Sequence, residues 1–232
     1  MTRHKYTIGI DEVGRGSLAG PLCVGACLVR RTLARSLGRV FSGIRDSKQL
    51  TPAGREMWFR TISEASRQGL CEWRTVFVSE KVIDERGLSF ALRRAIRRLL
   101  SKLGVHPRLS RVLLDGGIWA PRSFLFQKTI VRGDETEPLI AAASIMAKVR
   151  RDRYMVRLSR RHPAYGFDRH KGYGTKAHYA ALRKHGVSGV HRKSFLFKFE
   201  ARSTKSETID SSVVPAKAGN QNSGFPLSRA GH

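Results

Sequence analysis

Acidic residues are the scarce class in this chain: 18 Asp and Glu stand against 44 Lys and Arg in 232 residues, a formal charge of +26 at pH 7. Solubility alone is served by about 2 to 8 net charges. An excess of this size calls for a polyanion, and nucleic acid is the favoured partner, because such a field attracts phosphate and releases counterions on binding. Cysteine is rarer still. Cys23, Cys27 and Cys71 are an odd number with no C-x-x-C pair, and they read as reduced packing residues of a cytoplasmic protein. No stretch approaches the roughly 18 consecutive apolar residues of a membrane span. Met1-Thr-Arg-His-Lys leads straight into a strand-like run without a signal-peptide core, so a soluble protein that stays where it is made is expected. The eight histidines show no metal-ligand spacing.

What is present is enough to fold. An apolar content of 41% over this length supports a real core. Tyr6 to Ile10 and Leu22 to Val29 are β-favouring runs separated by EVGRGSLAGP, which predicts two neighbouring strands. Thr51-Pro52 opens a helix reaching Arg67, with a cap residue followed by proline at the first helical position. Cys71 to Val78 alternates like a strand. Leu88, Leu92, Ala95, Leu99 and Leu103 form one apolar stripe, and Arg93, Arg94, Arg97 and Arg98 fall largely off it; this is an amphipathic helix with a basic outer face. Arg111 to Leu114 and Gln127 to Val131 predict two further strands, and Pro138 to Arg161 a long helix stopped by His162-Pro163, with Asp134, Glu135 and Glu137 at its positive end. The order of elements describes an α/β domain with a mixed sheet flanked by helices. The domain is expected over 1–202, with 164–202 a helical C-terminal region. From Ser203 to His232 the chain is rich in Ser, Gly, Asn, Ala and Pro without periodicity and reads as a disordered tail.

Because acids are few, their positions carry information. Asp11 and Glu12 follow the strand YTIGI, Asp115 follows RVLL, and Asp134 comes shortly after QKTIV. In an α/β sheet, ligands collect beyond strand ends. If these strands are neighbours, four carboxylates meet in a protein otherwise strongly positive, and divalent cations would relieve their mutual repulsion. Oxygen ligands without His or Cys suit Mg²⁺ or Mn²⁺, and together with the basic field they point to phosphodiester chemistry by two metals. The alternative is that Asp11 and Asp115 merely terminate strands. Gly14-Arg15-Gly16 would let backbone N–H groups and a guanidinium approach a phosphate, or form a simple turn. Lys48, in Asp46-Ser47-Lys48 before a helix cap, would sit on substrate backbone, or the segment caps and turns. Tyr173, between glycines and cations in HKGYGTK, is a stacking platform or a core residue. Asp152 is expected to pair with Lys148 or Arg151 rather than bind metal.

Taken together, IGIDEVGRGSLAGP, RDSKQLTP, LLDGG, RGDETEPLIAAASIMAKVRRDR and YGFDRHKGYGTKAHYAALRKHG closely resemble the ribonuclease HII family, in the right order over about residues 6 to 197. The resemblance implies a ribonuclease H-like fold with a helical C-terminal region. It also implies hydrolysis of the RNA strand of RNA–DNA hybrids and incision 5′ of single ribonucleotides in duplex DNA, leaving 3′-hydroxyl and 5′-phosphate ends. Carried over by motif, Asp11, Glu12, Asp115 and Asp134 would be the metal-binding carboxylates. Gly14, Arg15 and Gly16 would read the ribose 2′-OH and its phosphate, and Tyr173 would stack on the next sugar. Two departures stand out: Arg132 replaces the usual lysine before Gly-Asp, and Arg86-Gly87-Leu88 replaces an Asn-Ile pair. A monomer is expected, and no protein partner is indicated. The rivals are a non-catalytic basic nucleic-acid-binding protein and another nuclease or integrase of the same fold.

Overall fold

The computed structural model describes residues 4–44 and 49–196; Lys48, residues 197–202 of the expected C-terminal region and the 203–232 segment lie outside them. In chain order the elements are β1 (Tyr6–Val13), β2 (Leu22–Arg30), α1 (Ala34–Val40), α2 (Pro52–Arg67), β3 (Glu72–Val78), α3 (Glu80–Arg86) and α4 (Leu88–Lys102), then β4 (Ser110–Asp115), β5 (Phe126–Ile130), α5 (Gly133–Thr136), α6 (Pro138–Arg161), α7 (Phe167–His170) and α8 (Lys176–His185). The expected helices at 52–67, 88–103 and 138–161 are present almost to the residue. Thr51 accepts the Gly54 N–H at 3.1 Å as the α2 cap, and proline occupies the first turn of α2 and α6.

The strands form one mixed sheet in the order β3-β2-β1-β4-β5. β1 pairs antiparallel with β2 and parallel with β4, and β4 pairs parallel with β5. β1 is longer than the sequence suggests. Its parallel ladder with β4 stops at Ile10↔Leu114, but the antiparallel ladder with β2 continues to Val13↔Cys23. Asp11 and Glu12 are therefore strand residues held from one side only. This register sets Asp11 and Asp115 level with each other on adjacent strands.

Two layers of helix cover the sheet. On one face Ile8, Ile10, Val24, Val112 and Leu114 pack with Leu92, Ala95, Ile96 and Leu99 of α4. On the other, Ala142, Ala143, Ile145 and Met146 of α6 pack with Ile62 of α2, Cys27 and Cys71. The three cysteines are buried and free, as expected of packing residues. A side chain at Gly9 would strike the Leu139 carbonyl, and one at Gly25 the Ala143 carbonyl, so the α6 backbone lies directly on the sheet. That close approach fixes the height of every α6 side chain over the strand ends.

The segment after α6 is stitched to the loop between β1 and β2. Leu18 N–H donates to Gly172 O at 2.8 Å, Gly20 N–H to Val190 O at 2.8 Å, and Arg192 N–H to Leu18 O at 2.7 Å. Asp84 of α3 accepts the Lys193 and Ser194 N–H groups and the Ser194 hydroxyl. The Arg86-Gly87 departure proves to be the α3–α4 boundary: Gly87 has φ +79°, and Arg86 lies 4.4 Å over the Phe90 ring. Among the described residues no helix is long and apolar enough to cross a membrane.

Candidate functional site

Carboxylate oxygens of Asp11, Asp115 and Asp134 all lie within 4.8 Å of one another. Three elements supply them. Asp11 comes from β1, Asp115 from the last position of β4, and Asp134 from the short helix α5, which the chain enters from β5 through Arg132 in a left-handed conformation (φ +52°). α5 is a separate turn ahead of α6, which begins at Pro138 as expected, so the acids lie N-terminal to the long helix. Asp11 and Asp134 are 4% and 2% exposed. The Gly133 N–H donates to Asp115 Oδ1 at 2.7 Å, tying the end of β4 to the start of α5. Glu12 N–H donates to Asp11 Oδ1 at 2.7 Å, and the Ser144 hydroxyl of α6 bonds the same carboxylate.

Three acids this close in a buried setting repel one another. Burial first, then the charges of Glu12 and Asp115, pushes the Asp11 carboxyl well above its ordinary range, against the opposing Ser144 hydrogen bond. Glu12 is also raised by burial, which the neighbouring Arg15 partly offsets. Glu12 is not one of the three clustered acids. It lines the same cleft, with Oε1 3.4 Å from Arg15 Nη1, while its buried Oε2 has no hydrogen-bond partner. An oxygen-only donor set with an orphaned carboxylate oxygen at its edge fits a hard divalent cation, whose charge would reverse the local repulsion.

The cleft has a volume of about 430 Å³ and is lined by Asp11, Glu12, Val13, Gly14, Arg15, Gly16, Asp115, Ser144, Lys148 and Tyr173. The glycine-arginine-glycine segment and Tyr173 thus reach the acids from distant parts of the chain. Tyr173 is half-buried, with Arg151 Cζ and Lys148 Nζ 5.4 and 5.8 Å from its ring centroid. Lys148 donates to Asp152 at 2.9 Å, the local pair expected for Asp152.

Four residues of this neighbourhood are not marked by the sequence as belonging to the site. Ser144, Lys148 and Arg151 lie three or four apart on α6, on the face above the strand ends, but α6 is buried nearly all round in its first half and its pattern singles out no face. Arg151 is wholly buried. It donates from Nε to Pro21 O at 2.9 Å, from Nη1 to Lys171 O at 3.0 Å, and from Nη2 to Ser17 Oγ at 2.8 Å and Ala19 O at 3.4 Å. Arg192, also wholly buried, donates to Gly20 O at 3.0 and 2.9 Å and to Arg15 O at 3.1 Å. Burial and the charge of Arg151 pull Arg192 down to about 10. Gly14 has φ +89° and passes so close over Arg151 that any side chain there would collide with the guanidinium. The consequence is directional. With the Arg15 carbonyl turned inward to Arg192, the planar trans peptide aims the Gly16 N–H the opposite way.

The sequence model of the ribonuclease HII family matches residues 8–198. The chain belongs to the ribonuclease HII family. It is 45% identical over 187 residues to ribonuclease HII of Chlamydia caviae, covering 81% of this chain and 82% of that one. Ribonuclease HII of Caldicellulosiruptor bescii is 40% identical over 193 residues, 83% and 87% of the two chains. Among solved structures, ribonuclease H2 from Pyrococcus horikoshii superposes with a TM-score of 0.62 at 24% identity, over 86% of this chain and 99% of that one. RNase HII of Archaeoglobus fulgidus, solved in complex with PCNA, gives 0.62 at 25%, over 80% and 93%. Bst-RNase HIII, solved with Mn²⁺, shares the fold at 18% identity and a TM-score of 0.59, over 91% and 72%. The ribonuclease H-like fold is thereby established, and the chain is a nuclease of the ribonuclease H class, a phosphodiester hydrolase. A purely structural basic protein is set aside.

Proposed function

We propose that this ribonuclease HII cuts the RNA strand of RNA–DNA hybrids and incises 5′ of single ribonucleotides in duplex DNA, leaving 3′-hydroxyl and 5′-phosphate ends. The observation that carries this reading is the meeting of three acids with Gly14-Arg15-Gly16 and Tyr173 in one cleft. Asp11, Asp115 and Asp134, with Glu12 at the rim, are the residues that would hold Mg²⁺ or Mn²⁺. Two such ions, when bound, would lower the pKa of an attacking water and neutralise charge at the leaving oxygen. The chain's own groups do the rest. Arg15 pairs with the phosphate, and the outward Gly16 N–H donates to the same nucleotide. These groups sit within five residues of Asp11, so what they touch is the nucleotide being cut. A 2′-OH is the feature that distinguishes RNA from DNA at a given sugar, and this segment is the part of the cleft positioned to read it. Tyr173 packs its ring on the following sugar.

A basic groove lined by Arg55, Lys148, Arg153, Arg157, Arg169 and Lys171, together with Glu56 and Asp152, adjoins the cleft through Lys148, and supports duplex binding on that side. The test is a labelled duplex with one ribonucleotide, incubated with Mg²⁺ or Mn²⁺ and sized on a gel beside a long hybrid and an all-DNA control. Cleavage 5′ of the ribonucleotide and none of the DNA is expected. Tyr173→Ala should impair the lone ribonucleotide at least as much as the long hybrid, by about 1 to 3 kcal/mol of lost stacking. Equal rates with wild type on both substrates would make Tyr173 a packing residue.

A further inference from the structure

On the α4 face of the sheet, the face that α6 and Lys148 do not cover, Arg15 of the cleft also lines a second groove of about 220 Å³ between α4 and the β4–β5 loop. Its floor is apolar and buried, made by Leu92, Ile96 and Ile118. Its rim carries Arg93 and Arg97, both exposed, and no acidic residue lines it. Trp119 projects from the loop, 61% exposed, four residues beyond Asp115.

That exposure is not the result of a slack loop. The Thr129 hydroxyl donates to Ile118 O at 3.2 Å, and Ala120 N–H donates to Gln127 Oε1 at 2.8 Å, so the residues on both sides of Trp119 are pinned to β5. A tryptophan fixed in solvent beside two arginines leaves its ring face open to a ligand. Arg93 and Arg97 stand one helical turn apart, about 6 Å along the axis, comparable with the spacing of successive phosphates on a strand. Aromatic faces interleaved with cations suit sugar-phosphate chains.

We propose that this groove is a second backbone subsite, resting on the function proposed above: Arg93 and Arg97 neutralise phosphates of the substrate flanking the cut, and Trp119 packs on an adjoining sugar or base. The cleft then lies between two basic grooves, entered through Lys148 and through Arg15, and the nucleic acid runs across it from one to the other.

The proposal is tested by fluorescence anisotropy with the ribonucleotide-containing duplex in EDTA, so that nothing is cut, over a range of salt. Arg93→Gln with Arg97→Gln should weaken binding about tenfold and lower the slope of log K against log salt by about 1.8, at about 0.9 per phosphate contact. Lys102→Gln, on α4 but outside the groove, should leave the wild-type slope. Binding should quench tryptophan fluorescence in wild type, and Trp119→Phe should abolish the quench, because the other tryptophans, Trp58 and Trp73, pack against the core between α2 and α6 and line neither groove. Wild-type affinity and slope in the arginine variant, or a quench that survives Trp119→Phe, overturns the proposal and leaves the groove to a protein partner. Failure of the wild-type protein to cut at the ribonucleotide would instead strike the functional reading, whatever the binding data show.

Discussion

Replacing Arg151 should damage stability and cleavage by separable amounts. The wholly buried guanidinium donates four hydrogen bonds to Pro21, Lys171, Ser17 and Ala19. Arg151→Met keeps most of the volume and leaves those oxygens buried without donors. Each unsatisfied buried acceptor costs about 1 to 3 kcal/mol, but the loop can relax toward water at some of them, and removing one side of a buried charged network typically costs about 3 to 5 kcal/mol. For a domain of this size that corresponds to a fall in Tm of about 6 to 20 °C. Arg151→Lys should fare only slightly better, since one ammonium cannot span four acceptors on two loops. The catalytic effect follows from the geometry: Arg151 joins the loop after Gly14-Arg15-Gly16 to the segment carrying Tyr173. Displacing reading groups by about 1 Å costs on the order of 10²-fold in rate. Calorimetry, with cleavage measured at a temperature where the variant is fully folded, checks both. A Tm within about 3 °C of wild type would refute the clamp. A large Tm loss with wild-type cleavage in the folded variant would restrict Arg151 to stability.

Two further outcomes concern charge. Burial and neighbouring acids raise Asp11, so without metal the folded state holds a proton more tightly than the unfolded chain, and stability falls as pH rises from the ordinary carboxylate range through the raised value. At neutral pH, metal-free Asp11→Asn should therefore melt above wild type in a thermal scan, and a lower Tm would contradict the repulsion inferred here. Burial lowers His178 and His191 to about 4, where their Nε2 atoms lie 3.1 Å apart. Their contribution is present above about 6.5, the ordinary value, and is lost as pH falls toward 4, so Tm should drop across that window and drop less in a His178→Gln, His191→Gln double variant. An unchanged pH profile in that variant would place the acid sensitivity elsewhere.

How much of this was legible beforehand depends on distance along the chain. Helices with a cap, a proline and a stripe, such as α2 and α4, are local statements, and the sequence makes them. The acids stand out because they are rare and follow apolar runs. The extension of β1 to Val13 was not legible, since it depends on β2 pairing beyond the point where β4 lets go. Nor were Arg151 and Arg192, which look like two more members of a basic surface and become the inner ties of the loop only through contacts 130 and 172 residues away. The histidine group is similar: His170, His178 and His191 have no ligand spacing, yet the fold stacks His170 on His178 at 4.3 Å and sets His191 beside it.

The central claim is that the carboxylates at the strand ends hold the ions that cut at a ribonucleotide. The direct measurement is single-turnover cleavage of a duplex with one ribonucleotide by wild type and Asp134→Asn, with substrate affinity measured in parallel. The account predicts cleavage 5′ of the ribonucleotide that requires added Mg²⁺ or Mn²⁺, and a fall of several orders of magnitude in Asp134→Asn with affinity within about tenfold, because this group binds metal and not duplex. Wild-type turnover in Asp134→Asn, or full cleavage in the presence of EDTA, would contradict it.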